Sequence, residues 1–181
     1  MGLRFSEQPP DDLLNILQEF RMFSGAKNRG GWNCCSGSAA KTKIALLEYS
    51  VAYRGGILGP RSMTLYRQTL VVVFDLALPD FRVGPKSWMD KLSKLFGGNF
   101  IELPGQDEFN KKFSLSGEKA ARIKAAFAAR AIDLLRESMV TVEIHDGNMI
   151  CYRHNEIAKP KAYGELIDEA VDIAHSFQKR T

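Results

Sequence analysis

Apolar residues recur at helical spacing in the last third of the chain. Between Glu118 and Glu137 they repeat every three or four positions, at Ala120, Ile123, Phe127, Ala131 and Leu134. This spacing predicts a long helix with one buried face. A second stripe predicts a closing helix from Ala162 to Phe177, formed by Tyr163, Leu166, Ile167, Ala170, Ile173, Ala174 and Phe177. Both helices therefore present an apolar side that a sheet can cover.

A β-hairpin is predicted between the two helices, from Val140 to Arg153. The pair Asp146-Gly147 favours a two-residue turn in which both residues have positive φ. Strand alternation then gives the hairpin one apolar face, made of Val142, Ile144, Met149 and Cys151. The same alternation directs Glu143 and His145 to the opposite face.

Apolar runs bounded by glycine and proline predict further strands upstream. They cover Ile44–Tyr53, Met63–Leu76, Asn99–Leu103 and Lys112–Ser116. Before them we expect a short strand that is followed by a mobile turn at Ser36–Thr42. Leu70–Phe74 is apolar at every position, so we expect it to lie centrally with cover on both faces. The segment Leu78–Pro85 begins and ends near prolines and is interpreted as an extended connector.

Two further helices are predicted, Asp11–Phe23 near the N-terminus and Trp88–Phe96 in the middle of the chain. The pattern as a whole predicts an α+β fold: a mostly antiparallel sheet covered by two long C-terminal helices and a shorter one, plus an N-terminal helix. We divide the chain into an N-terminal helical segment, residues 1–24, and a single α+β domain, residues 25–181.

Length and composition suit one globular core. The chain has 181 residues, of which 45% are hydrophobic. Its apolar runs are shorter than the roughly 20 residues that span a bilayer, and its first residues do not resemble a secretory leader. We therefore expect a soluble, cytoplasmic protein, with a peripheral position at the inner membrane as an extension of that expectation.

Basic residues are concentrated in one block of the sequence. The net charge is +4, and the stretch from Arg21 to Arg67 holds eight basic residues and one acidic residue, Glu48. Such a block could contact an anionic partner, either a membrane surface or a nucleic acid. The residues predicted to make this contact are Lys41, Lys43, Arg54, Arg61, Arg67 and Trp32.

Side chains that could carry chemistry are scattered along the chain. The histidines, at His145, His154 and His175, lack metal-ligand spacing. The vicinal cysteines Cys34 and Cys35 form neither a redox motif nor a metal motif, and Cys151 is expected to be buried and inert. Three carboxylates could meet on neighbouring strands, namely Glu48, Asp75 and Asp80. We predict no catalytic residue, no metal ligand and no cofactor.

Several segments have a recognisable pattern, namely Phe74–Leu76, Leu78–Pro85, Phe96–Ile101, Glu108–Gly117 and the helix–hairpin–helix that follows. Together they resemble an uncharacterised family of small bacterial domains that often follow membrane-spanning segments. The resemblance covers roughly Gly30 to Phe177. These motifs are structural, so the resemblance implies a fold and assigns no functional residue.

Three functions remain open from the sequence. The first is a non-catalytic protein-interaction module, at the cytoplasmic membrane surface or as a homo-oligomer, with no small-molecule ligand. The second is nucleic-acid binding through the block from Arg21 to Arg67, with aromatic residues stacking on bases, namely Trp32, Tyr49, Tyr53 and Tyr66. The third is an enzyme of unknown class, which a cleft joining histidine, thiol or acidic groups would favour.

Overall fold

The computed structural model describes residues 2–23, 28–56, 59–87 and 99–177. For residues 28–29, 53–56 and 59–63 it describes the backbone alone. Eight strands occur in these ranges: β1 (Arg4–Ser6), β2 (Asn28–Ala39), β3 (Thr42–Gly56), β4 (Gly59–Val73), β5 (Phe81–Pro85), β6 (Phe113–Ser116), β7 (Thr141–His145) and β8 (Asn148–Tyr152). They form one antiparallel sheet in the order β1-β2-β3-β4-β8-β7-β5-β6.

Helices lie between and after these strands. They are α1 (Asp11–Glu19), α2 (Asp107–Lys112), α3 (Ala120–Ala126), α4 (Ala129–Ser138) and α5 (Tyr163–Phe177), with short 3-10 turns at Arg21–Phe23 and Pro160–Ala162. The predicted α+β fold is therefore confirmed, with an antiparallel sheet, an N-terminal helix and a C-terminal helix that packs on the sheet.

The sheet is covered on both faces. On the face that we call the first, α4 and α5 pack on strand residues that include Leu46, Val71, Val73, Val142 and Ile144. On the second face, α1 and the 3-10 turn after it pack on Leu47, Tyr49, Leu70, Val72 and Ile150. Alternate residues of Leu70–Phe74 thus enter the two cores, which confirms that this stretch is central and covered on both sides.

The predicted hairpin and closing helix are confirmed. The hairpin turn consists of Asp146 and Gly147, with φ of 44° and 71°. Its cross-strand pairs place Ile144 opposite Met149 and Val142 opposite Cys151, as the alternation predicted. These signals are local to the hairpin, which explains why the sequence predicts it well.

The long helix predicted from Glu118 to Glu137 is wrong at its centre, where the structure has two helices. The chain leaves helical geometry at Phe127 (ψ 83°) and Ala128 (ψ 161°), between α3 and α4. The ring of Phe127 packs 5.3 Å from that of Phe81 and 5.1 Å from that of Phe177. The break thus accompanies an aromatic contact between distant residues, which helical periodicity does not reveal.

Two predictions about extended segments are also wrong. The segment Leu78–Pro85, predicted to be a connector, contains β5, a strand that lies between β7 and β6 in the sheet. Pro85 is compatible with this strand because it lies at the strand's end, where proline is tolerated. The mobile turn predicted at Ser36–Thr42 is mostly strand, since β2 continues to Ala39 and the turn consists of Ala40 and Lys41.

Other predictions around this region have mixed outcomes. The strand predicted at Asn99–Leu103 is reduced to a single bridge between Phe100 and Ser116. The helix predicted at Trp88–Phe96 lies outside the described residues. Phe109 and Phe113 stack in the core with ring centroids 4.7 Å apart.

Candidate functional site

A polar cleft lies on the second face of the sheet, beside α1. The apolar cluster under α1 draws on β2, β3, β4 and β8. The next strands, β7, β5 and β6, carry polar residues in one row instead, because Glu143 and Ser116 both pair with Arg82. This row lines a cleft of about 820 Å³ whose walls come from α1, the loop before β5, the segment before α3 and the hairpin turn.

Glu143 joins the floor of this cleft to the N-terminal segment. Its carboxylate accepts hydrogen bonds from the backbone N–H groups of Arg21 and Met22, the second at 3.3 Å. Arg82 lies on the neighbouring strand, with its Nε 3.6 Å from Oε2 of Glu143. Burial raises the pKa of Glu143, while Arg82 and the two backbone N–H groups act in the opposite direction.

Tyr152 completes the buried polar group. Arg82 Nη2 donates to the Tyr152 hydroxyl at 3.1 Å. Burial raises the pKa of Tyr152 to about 12, so the phenol stays protonated at neutral pH. Arg82 therefore contacts one acid, Glu143, and one neutral hydroxyl, that of Tyr152, within the chain.

His145 and Asp80 meet at the rim of the cleft. The Nδ1 atom of His145 lies 3.0 Å from Oδ2 of Asp80, and the backbone N–H of Asp146 donates to the other carboxylate oxygen at 3.1 Å. The expectation that candidate reactive groups are scattered is wrong here, because a cleft brings a histidine to an acid. The sequence predicts a connector where the structure has strand β5, so the proximity of Asp80 and Arg82 to the hairpin does not follow from the predicted elements.

Glu143 and Arg82 are the residues that the sequence reading missed. Alternation in the hairpin did place Glu143 on the same face as His145, and the structure confirms that orientation. The available signal was an acidic residue inside a strand between apolar neighbours. Its partner on β5 could not be identified without the strand order.

The basic contact residues predicted from the sequence are distributed over different parts of the sheet. Arg67 stacks on Trp32 at 5.1 Å on the first face, whereas Lys43 lies over the Phe74 ring at 4.8 Å on the second face. Lys41 is exposed in the turn between β2 and β3. Arg54 and Arg61 belong to β3 and β4, and their side chains lie outside the described residues.

The aromatic residues proposed to stack on bases also lie in different parts of the structure. Tyr49 is buried against Phe23, with ring centroids 4.6 Å apart, and Tyr66 packs on His154 at 4.7 Å. The side chain of Tyr53 lies outside the part of the chain that the structure describes. Trp32 lies beside an exposed basic residue, Arg67.

Glu48 organises a second polar cluster, on the first face. Its carboxylate accepts hydrogen bonds from Trp32 Nε1 at 2.7 Å, from Asn33 Nδ2 at 3.0 Å and from the Tyr163 hydroxyl at 3.1 Å. Asn33 has a φ of 51° and sits in an irregularity of β2 that aims its side chain at Glu48. Glu48 is therefore engaged in holding α5 to the sheet.

The cysteines show no sign of a reactive thiolate. Burial and the neighbouring Cys35 raise the pKa of Cys34 to about 11. Burial also raises the pKa values of Cys35 and Cys151, and Cys151 lies in the first core as predicted. A nucleophilic cysteine needs a lowered pKa, so these thiols do not fit that role.

Within the described ranges, histidine, cysteine and acidic side chains form no group of three that could hold a metal ion. No helix in the described part of the chain is long and apolar enough to cross a membrane. Comparisons with protein-family models, curated proteins and solved structures found no match, so the family resemblance stays a prediction.

Proposed function

We propose that the protein is a non-catalytic protein-interaction module that receives its partner in the polar cleft. The observation that carries this proposal is the bonding of Glu143, the buried acid on the cleft floor. Its carboxylate holds the backbone of Arg21 and Met22 and faces Arg82. A catalytic acid or base must reach the reacting atoms, and Glu143 is occupied in joining two parts of the chain.

The rim of the cleft supports a binding role. Exposed side chains of both signs surround it, namely Glu19, Arg21, Asp80, Glu118, Lys119, Arg122 and Asp146. Small-molecule pockets are lined mainly by apolar groups, whereas exposed charges of both signs are typical of the rim of a protein interface. Charge complementarity would then select the partner.

A matched pair of charge reversals tests the proposal. Lys119→Glu with Arg122→Glu changes the cleft, and Asp168→Lys with Asp172→Lys changes the exposed side of α5 to the same extent. We expect a partner captured from the organism's lysate by the wild-type chain to be retained by the α5 variant and lost by the cleft variant. Equal retention by both variants would reject the cleft as the contact surface.

The contact between His145 and Asp80 favours a second candidate, general acid–base catalysis. A carboxylate at Nδ1 fixes the tautomer of an imidazole and leaves Nε2 able to accept a proton. Ester and phosphoester reporter substrates would test this candidate. Turnover that disappears in both His145→Gln and Asp80→Asn would replace the interaction module with an enzyme.

The stack of Arg67 on Trp32 keeps nucleic-acid binding as a further alternative, since both are typical stacking partners of bases. A salt titration with single-stranded and double-stranded oligonucleotides tests it, with Lys41→Glu and Lys43→Glu as the charge variants. Absence of binding at low salt would reject it. A position at the cytoplasmic membrane surface is supported by the family resemblance and by the basic residues between Arg21 and Arg67.

A further inference from the structure

The side-chain hydroxyl of Ser116 has no hydrogen-bond partner among the residues that the structure describes. Ser116 lines the cleft and pairs with Arg82 across β6 and β5. The residue is 8% exposed, so nine-tenths of its surface is removed from solvent. A polar group that is buried to this extent normally has a hydrogen-bond partner, and here the described chain does not supply one.

The buried charges beside Ser116 already compensate each other. The Nε atom of Arg82 lies 3.6 Å from Oε2 of Glu143, and both side chains are almost fully buried. Arg82 also donates a hydrogen bond to the Tyr152 hydroxyl. The other aspartate, glutamate, lysine and arginine side chains that line the cleft are exposed, so water solvates them.

From these two observations we infer that the cleft receives an uncharged polar side chain of the partner protein, an Asn, Gln, Ser or Thr, which forms a hydrogen bond with Ser116. The inference rests on the proposed interaction function. It specifies the residue of the cleft floor that recognises the partner and the chemistry of the group that is recognised.

A charged group of the partner fits this position less well. Ser116 and Glu143 lie on the two strands that flank Arg82. A carboxylate at Ser116 would compete with Glu143 for Arg82, and a cation at the same position would be repelled by Arg82. Either group would lose its hydration without gaining a counter-ion of its own.

An apolar group fits less well for a different reason. It would cover the Ser116 hydroxyl and leave that hydroxyl without any hydrogen bond, which costs free energy. The side chains of Asn, Gln, Ser and Thr can each donate and accept, as the serine hydroxyl does. An uncharged polar side chain therefore satisfies Ser116 without disturbing the ion pair beside it.

A random peptide display library, selected on the immobilised full chain, tests the inference. We expect the enriched peptides to share an Asn, Gln, Ser or Thr at one position. Fluorescence anisotropy then measures the binding of one selected peptide to the wild type and to two serine variants. Ser116→Ala should weaken binding by about threefold to tenfold, the range expected for the loss of one hydrogen bond.

Ser114→Ala is the matched control. Ser114 lies on the same strand and is buried as well, but it lies outside the lining of the cleft. This variant should bind the selected peptide as the wild type does. Urea unfolding verifies that both serine variants are folded.

A double-mutant cycle separates a direct contact from a structural effect of Ser116→Ala. Replacing the shared polar residue of the peptide with Ala should weaken its binding to the wild-type chain by a similar factor. The same replacement should leave binding to the Ser116→Ala chain unchanged, because the hydrogen bond is already lost there.

Four outcomes would each overturn the inference: no enrichment, a charged or apolar residue at the shared position, equal affinity of Ser116→Ala and the wild type, or additive effects in the cycle. The capture experiment tests the proposed function separately. If the captured partner is lost with Lys119→Glu and Arg122→Glu but retained in full by Ser116→Ala, the proposed function stands and this inference fails.

Discussion

Arg82 and Glu143 place opposite charges inside the protein, with side chains that are 6% and 4% exposed. Removing such groups from water costs free energy, which their attraction and hydrogen bonds offset. The backbone N–H groups of Arg21 and Met22 and the hydroxyl of Tyr152 supply those bonds. The pair therefore links β5, β7, β8 and the N-terminal segment at one point.

Removing the cation of this pair should destabilise the fold. Arg82→Met leaves the carboxylate of Glu143 buried without its counter-ion, so we expect the free energy of unfolding to fall by about 3 kcal/mol at neutral pH. Adding Glu143→Gln removes the uncompensated charge and should restore part of the loss. Urea unfolding of the wild type, the single variant and the double variant measures both effects. A double variant less stable than Arg82→Met would contradict this account.

The same buried pair makes the free energy of unfolding depend on pH. Burial raises the folded-state pKa of Glu143 above its unfolded value of roughly 4.3. The contribution of this group to stability is then fully present below the unfolded pKa and is lost as pH rises through the folded pKa. Arg82→Met removes the cation that lowers this pKa. The pKa of Glu143 then rises further, so the loss of stability with rising pH becomes larger.

We therefore expect the destabilisation caused by Arg82→Met to be larger at about pH 8 than at about pH 4, where Glu143 is protonated and needs no counter-ion. Urea unfolding of both chains at the two pH values measures the difference. Equal destabilisation by Arg82→Met at the two pH values would show that the ionisation of Glu143 does not cause the destabilisation.

At the scale of elements, the sequence predicts well where the signal is local. The hairpin turn at Asp146 and Gly147 and the stripe of α5 follow from neighbouring residues, and both are confirmed. The sequence does not predict the strand β5, because its glycine and its terminal proline also suit a connector. The break at Phe127 and the pairing of Arg82 with Glu143 depend on residues distant in the sequence. The cleft could therefore not be predicted before the strand order was known.

Two glycines allow a matched test of packing within elements. A Cβ added to Gly84 in β5 would lie 2.6 Å from Oγ1 of Thr141. Gly84→Ala should therefore lower the free energy of unfolding by about 1–3 kcal/mol. Gly164 lies in α5 with no atom within 4 Å of an added Cβ, so Gly164→Ala should raise stability by about 0.5–1 kcal/mol. Thermal and urea unfolding measure both changes; a Gly84→Ala chain as stable as the wild type would refute the close contact with Thr141.

At the scale of the whole molecule, one sheet separates two layers that differ in polarity. The first face is covered by α4 and α5 over an extensive apolar core. On the second face, the apolar cover under α1 gives way to the polar row of Glu143, Arg82 and Ser116. This change from apolar to polar surface creates the cleft, and it is the basis for placing the partner there.

Photo-crosslinking from single positions tests most directly whether the cleft is the contact surface. A photoreactive amino acid replaces either Lys119 at the cleft or Asp168 on the exposed side of α5, and the chain is irradiated in the cells that produce it. We expect a discrete adduct with one partner protein from position 119 and none from position 168. Adducts from position 168 alone, or the same adduct in equal yield from both positions, would contradict it.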